Sequence, residues 1–247
     1  MNQPCTMMLV QQYSLYTEAD HHVWQLLYSR QMQAIQQAAY QQFFKNTAFL
    51  GFTEEHIPAF TSINARLKNS TGWEIYAVPG LIANDLFFKQ LHQQKFGAST
   101  WIRKMEELDY LEEPDMFHDV FGHLPQLADP LIASFLLQLA SVAVKHLHKE
   151  EVLEAIARLY WYTIEFGLVQ EEDEVKIYGA GLLSSIAETK FCLSAQANRI
   201  PFDVEQVLST PYIKDKFQEQ YFVLDTMEQL TASIPALVTF ANRFFDQ

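Results

Sequence analysis

Two histidines, His118 and His123, stand five residues apart in the apolar stretch EEPDMFHDVFGHLPQLADP, residues 112–130. Paired imidazoles are ligands for a metal ion when they share a face. On an α-helix that takes a spacing of four, because four residues turn about 40° past a full circle. Five residues turn roughly 140°, which points the rings of a straight helix apart. Gly122 precedes His123 and Pro125 follows two residues later. Together they predict that the helix ends there, since Gly tolerates the break and Pro forbids continuation. His123 is then expected on the frayed end or the departing loop, turned back toward His118.

A third ligand is available in LYWYTIEFGLV. Glu165 is flanked at helical spacing by Trp161, Tyr162, Leu168 and Val169. A carboxylate on so apolar a face needs a partner, a proton or a cation. Two imidazoles and one carboxylate leave open positions on Fe(II) for oxygen and substrate. The same set serves catalytic zinc. The plainer alternative is a structural pair of helix-end histidines, with Glu165 bound to Arg158. That would be a non-catalytic helical protein without metal. A zinc hydrolase is disfavoured because no HExxH supplies a general base beside the first histidine.

These residues need helices to hold them, and the pattern supplies helices. Thr17 is a plausible cap for apolar positions Val23, Leu26, Leu27, Met32, Ile35 and Ala39, a helix expected to run to Gly51. A shorter helix follows Pro58 and closes at Gly72. WEIYAVPG alternates as a short strand. DLFFKQLHQQKFG reads as a helix capped by Asn84 or Asp85. Residues 113–124, 130–148 and 150–168 read as helices. VKIYGAGLLSSIAETKFCL is a Gly-bent turn into a helix, and the tail adds a strand-like piece and a final helix. The fold class is mostly α with a few short strands, in one domain over 1–247, with 1–12 a loosely ordered arm.

Composition bounds the rest. About half of the 247 residues are hydrophobic, and 19 Phe, 11 Tyr and 4 Trp imply a large core or a pocket for flat ligands. A net charge of −13 argues against nucleic acid as a partner. Only Cys5 and Cys192 are present, which suits a reducing cytoplasm. The N-terminus has no basic, apolar signal, and no run of 18 apolar residues implies a membrane span. His146 and His148 lie among charges, as on a solvated face. His21, His22, His56 and His92 have no partner spacing.

EEPDMFHDVFGHLP, YWYTIEFGL and YGAGLLSSIAE, in this order and spacing, resemble the catalytic domain of the tetrahydropterin-dependent aromatic amino acid hydroxylases. The likeness covers nearly the whole chain, from YTEADHHVW onward, and is strongest to bacterial members acting on phenylalanine. It implies a mostly helical basket with a small sheet. It implies His118, His123 and Glu165 as iron ligands. It also implies hydroxylation of L-phenylalanine to L-tyrosine, with Fe(II), O2 and a tetrahydropterin, through a ferryl-oxo species. Tryptophan or tyrosine are the alternative substrates.

By the same resemblance, Gly80, Leu81, Ile82 and Phe87 cradle the pterin, and Asp119 reaches it through water. Arg103 clamps the amino acid carboxylate, a task suited to a guanidinium fork; otherwise it pairs with Glu106 or Glu107. Pro114, Trp161 and Phe166 shape the aromatic pocket. Ser184, on the substrate side, bonds the first ligand imidazole, with Glu188 behind it. Ser185 to Glu188 is also a capping-box pattern. Nothing before Tyr13 resembles the animal regulatory domain, and nothing after Phe245 resembles a tetramerising coil, so a monomer is expected.

Overall fold

Thr17 starts the first helix as predicted. Its hydroxyl accepts from the Asp20 N–H at 3.2 Å, and the Asp20 carboxylate accepts from the Thr17 N–H at 2.8 Å, closing a capping box. The computed structural model describes residues 9–109, 111, 113–213 and 218–243. Residues 1–8 of the expected N-terminal arm lie outside them. Its remainder is tied down: Leu9 bridges Ala77, and Gln11 accepts from the Phe60 N–H at 2.8 Å.

The single helix predicted to Gly51 is two, α1 (Glu18–Ile35) and α2 (Gln41–Leu50). The backbone between them has a better partner. Tyr40 N–H donates to the Ile177 carbonyl and Ile177 N–H to the Ala38 carbonyl, both at 2.8 Å. Gly51 closes α2 at φ 71°, the left-handed position that favours glycine.

Next come α3 (Phe60–Ser70), β1 (Glu74–Val78), α4 (Asn84–His92) and β2 (Lys95–Ser99). The cap of α4 is Ala83, with no side-chain bond, and Asn84 is its first helical residue. β1 and β2 pair in parallel from Glu74↔Lys95 to Val78↔Ser99, so α4 is the crossover of a small βαβ unit.

A π-helical segment, π1 (Phe117–His123), runs directly into α5 (Leu124–Leu127). Asp129 then caps α6 (Pro130–Lys145), accepting from the Leu131 N–H at 2.9 Å. α7 (Glu150–Tyr160) runs into a second π segment, π2 (Trp161–Glu165). The helix predicted to residue 168 therefore stops short, and Leu168 begins a strand instead.

The rest is β3 (Leu168–Glu171), β4 (Glu174–Ile177), α8 (Ala180–Leu183), α9 (Ile186–Cys192), β5 (Asn198–Pro201), α10 (Val204–Ser209), β6 (Gln220–Leu224), α11 (Gln229–Ala232) and α12 (Ile234–Asn242). The four-stranded sheet has the order β4-β3-β6-β5. The class is as expected, with more strands than predicted.

One hydrophobic cluster runs through the described residues. Part of the aromatic content packs behind π1. Phe117 stacks on Phe121 at 4.7 Å, Trp24 meets Phe117 edge-on at 5.5 Å, and Phe43 meets Phe121 at 5.4 Å. Each fully buried ring is worth about 1.5–3 kcal/mol of transfer free energy, so the back of π1 is anchored while its other face carries the histidines. His146, expected on a solvated face, is buried.

Candidate active site

The five-residue spacing is the spacing of a π turn. Its hydrogen bonds run from residue i to i+5, which stacks residues five apart on one face. His118 and His123 do this within π1: their ring centroids are 4.9 Å apart and their Nε2 atoms 3.2 Å. The expectation of a helix ending before His123 is thus corrected. The helix widens and continues, and His123 is buried. Gly122 serves close packing instead of termination. A Cβ there would lie 2.9 Å from the Ala180 carbonyl oxygen. Pro125 stands just past the junction of π1 and α5 and does not stop the helix, against the expectation that it would forbid continuation.

The second π turn presents the carboxylate. The Phe166 N–H donates to the Trp161 carbonyl at 2.9 Å, closing the five-residue ring. Glu165 Oε1 then stands 3.1 Å from His123 Nε2, and Oε2 3.7 Å from His118 Nε2. Arg158 is engaged elsewhere, on Glu154 at 3.1 Å and the Leu208 carbonyl at 2.9 Å. The YGAG turn packs against the backbone here. A Cβ on Gly179 would come within 2.5 Å of the Glu165 carbonyl oxygen.

The electrostatics are those of a mutually dependent trio in which His123 is buried and His118 and Glu165 are half-buried. Burial lowers the pKa of His118. Burial also opposes charge on His123, yet the Glu165 carboxylate against its Nε2 raises it overall. Burial pushes Glu165 up, and His123 more than offsets this, leaving it low. One donor atom from each residue lies within 4.8 Å of the others. Two imidazoles and a carboxylate converging from two rigid turns fit a divalent transition-metal ion.

A cavity of about 210 Å³ opens onto all three. Of the predicted pterin residues, Gly80, Leu81, Ile82, Phe87 and Asp119 line it. Pro114 and Trp161 line it too. Tyr160 and Tyr212, which carried no motif to mark them, complete the aromatic wall. Tyr212 stacks on Trp161 at 4.5 Å, and Phe166 sits against that same indole at 4.6 Å, behind the wall. Asp119 is held by Ser99, whose N–H and hydroxyl both donate to Oδ2 at 2.7 Å. Ser99 was invisible in the sequence because β2 was.

Arg103, Ser184 and Glu188 also stand behind the lining. Arg103 pairs with neither Glu106 nor Glu107. Its Nε and Nη2 fork onto the carboxylate of Asp115, each at 2.9 Å, and its own N–H donates to Oδ2 at 3.0 Å. Asp115 is fully buried and also accepts from the His118 N–H at 3.2 Å. Burial raises its pKa, and Arg103 outweighs this, so it is lowered. Ser184 Oγ meets His118 Nδ1 at 2.9 Å. Ser185 accepts from the Glu188 N–H at 3.4 Å, but the Glu188 carboxylate turns to the Tyr221 hydroxyl at 3.3 Å, so only half of the capping box forms.

Known proteins resemble this chain in sequence and fold. A family model described as biopterin-dependent aromatic amino acid hydroxylase matches residues 11–246. A phenylalanine-4-hydroxylase of Ralstonia nicotianae is 44% identical over 216 residues, 87% of this chain and 69% of that protein. One of Chromobacterium violaceum is 43% identical over 216 residues, 87% of this chain and 72% of that protein. The C. violaceum phenylalanine hydroxylase solved with bound iron(III) and oxidised cofactor 7,8-dihydrobiopterin superposes with a TM-score of 0.89 at 40% identity, covering 96% of this chain and 87% of that one. The chain belongs to the biopterin-dependent aromatic amino acid hydroxylases.

Proposed function

We propose that the chain is a phenylalanine 4-monooxygenase, converting L-phenylalanine to L-tyrosine with Fe(II), O2 and a tetrahydropterin. The observation that carries this is the convergence of His118, His123 and Glu165 on one cavity. The relatives named for phenylalanine favour that substrate over tryptophan or tyrosine. A zinc hydrolase built on the same three residues is not favoured in a family of hydroxylases.

Iron held by these three residues, with a reduced pterin in the cavity, would supply the activation of dioxygen. The chain supplies position. Phe87 and the Gly80–Ile82 segment line the cavity, an aromatic ring and a stretch of backbone suited to a pterin. Asp119, fixed by Ser99, brings a carboxylate to the same cavity. Trp161 and Pro114 offer aromatic and apolar surface in the same cavity for the phenylalanine ring. Arg103 is oriented by Asp115 through two of its nitrogens; Nη1, which meets the Leu108 carbonyl at 3.5 Å, is the arm we assign to a substrate carboxylate, reached from behind the lining.

We read the chain as one catalytic domain, supported by the single hydrophobic cluster, acting as a cytoplasmic monomer. Among the described residues no single helix is long and apolar enough to cross a membrane.

The test is reconstitution. Purified protein with Fe(II), O2, a tetrahydropterin and phenylalanine should form tyrosine. His118→Ala and Glu165→Ala should abolish it. Turnover surviving either substitution would overturn the metal site. Faster turnover of tryptophan than of phenylalanine would overturn the substrate.

A further inference from the structure

Gln126 is fully buried in α5, three residues beyond His123. An amide so placed has to satisfy two N–H donors and a carbonyl oxygen. Here each has one partner. Nε2 donates to the Ile164 carbonyl at 2.8 Å and to the Tyr178 carbonyl at 2.9 Å. Both of its protons are spent on acceptors that have none to give back. The amide cannot be flipped, because Oε1 would then face two carbonyl oxygens. Oε1 therefore faces His123 Nδ1, at 3.3 Å, as an acceptor only.

We propose that Gln126 is a positioning residue for the metal site, fixing His123 as the tautomer that carries its proton on Nδ1 and presents a bare Nε2 to the ion. This rests on the proposed metal site and deepens it. An acceptor behind the ring is what sets which nitrogen ligates and at what angle. Gln126 does more than orient one ring. Ile164 immediately precedes Glu165, and Tyr178 precedes the Gly179 that packs on the Glu165 carbonyl. The one amide thus ties the π turn bearing His123 to the π turn bearing Glu165. Ser184 holds His118 in the equivalent way from α8, so each ligand imidazole has its own acceptor on a different element.

Gln126→Leu and Gln126→Met keep apolar volume and remove all three bonds. Co(II) is the probe, titrated into the apo protein while its visible ligand-field bands are followed, in competition with a chelator. The expected result is a Kd for Co(II) about 10–100-fold higher than wild type, with altered bands. The rise in Tm on adding Co(II) should also shrink, which a purely structural loss would not cause. A folded variant with a Kd within about twofold of wild type and unchanged bands would overturn the role of Gln126, since a tenfold change is only about 1.4 kcal/mol and well within reach of the assay. Should neither variant fold, ¹⁵N-histidine spectra of Zn(II)-loaded wild type decide. A slowly exchanging Nδ1–H on His123 is expected, and a rapidly exchanging or metal-bound Nδ1 would overturn the proposal. Wild type that takes up no Co(II) would sink the metal site itself, a distinguishable failure.

Discussion

Ser184 Oγ accepts the Nδ1 proton of His118 at 2.9 Å while giving its own proton to the Ala180 carbonyl at 2.8 Å. A hydroxyl has one proton to give, so the second bond dictates the first. His118 is left with a bare Nε2 aimed at the site. We expect Ser184→Ala to weaken Fe(II) binding about 10–100-fold and to cost about 1 kcal/mol for the lost bond to a half-buried N–H. Chelator competition and urea unfolding would measure the two effects. Unchanged iron affinity would show that the hydroxyl does not set the ring.

Gly122 supports the same geometry by absence. A Cβ there would press within 2.9 Å of the Ala180 carbonyl oxygen, and within 3.1 Å of the Ala180 Cβ. Backbone cannot rotate away as a flexible side chain can. Either π1 or α8 has to shift, and α8 carries the Ala180–Ser184 link to His118. Gly122→Ala should cost about 1–3 kcal/mol of stability, as overpacking does, together with metal affinity. Equal unfolding midpoints for variant and wild type would mean that the close approach is not needed.

Much of this site is legible in the sequence, and the features that are not share a cause. His118, His123 and Glu165 stood out because charged or ligating groups in apolar surroundings demand an explanation. The geometry between them did not. A π turn differs from an α turn by one hydrogen-bond register, and nothing in the local propensities of FHDVFGH marks that choice. It is made by packing, with Phe117 and Phe121 locked against Trp24 and Phe43. β3 to β5 are only four residues long, and β2, KFGAS, has Gly and Ala where β-branched or large apolar residues would mark a strand. With β2 unseen, Ser99 had no place beside Asp119. The break between α1 and α2 depends on Ile177, far along the chain, which no local pattern reveals. Asp115 adjoins the histidine motif, but its bond to Arg103 is a tertiary fact.

Asp115 and Arg103 form the part of the site most sensitive to charge. Arg103→Lys keeps the positive charge but loses the fork that Nε and Nη2 make. We expect a KM for phenylalanine at least tenfold higher, about 1.4 kcal/mol of lost binding, with a smaller effect on kcat. Asp115→Ala is expected to be worse. It leaves a nearly buried guanidinium and two backbone N–H groups without their acceptor, a loss of about 3–5 kcal/mol. Steady-state kinetics and thermal unfolding of both variants would check this. An Arg103→Lys enzyme with wild-type KM would place the guanidinium outside substrate binding.

Glu188 links the fold to pH. Burial raises its pKa to about 7 from 4.5, only partly offset by the Tyr221 hydroxyl and the Gln218 backbone. Between those values the folded chain holds a proton that the unfolded chain has released. By linkage, stability falls as pH rises through this window, is unaffected below it, and above it carries the full penalty of a buried carboxylate. Glu188→Gln cannot ionise and keeps an acceptor for Tyr221. The variant should therefore match wild type most closely near pH 4 and gain on it steadily up to pH 8. Solvent reaches part of the side chain, so the gain is expected to be on the order of 1–2 kcal/mol, well short of the full shift. Comparing the two proteins at each pH cancels every other titrating group. Unfolding free energies that run parallel from pH 4.5 to 8 would show that Glu188 carries no such proton.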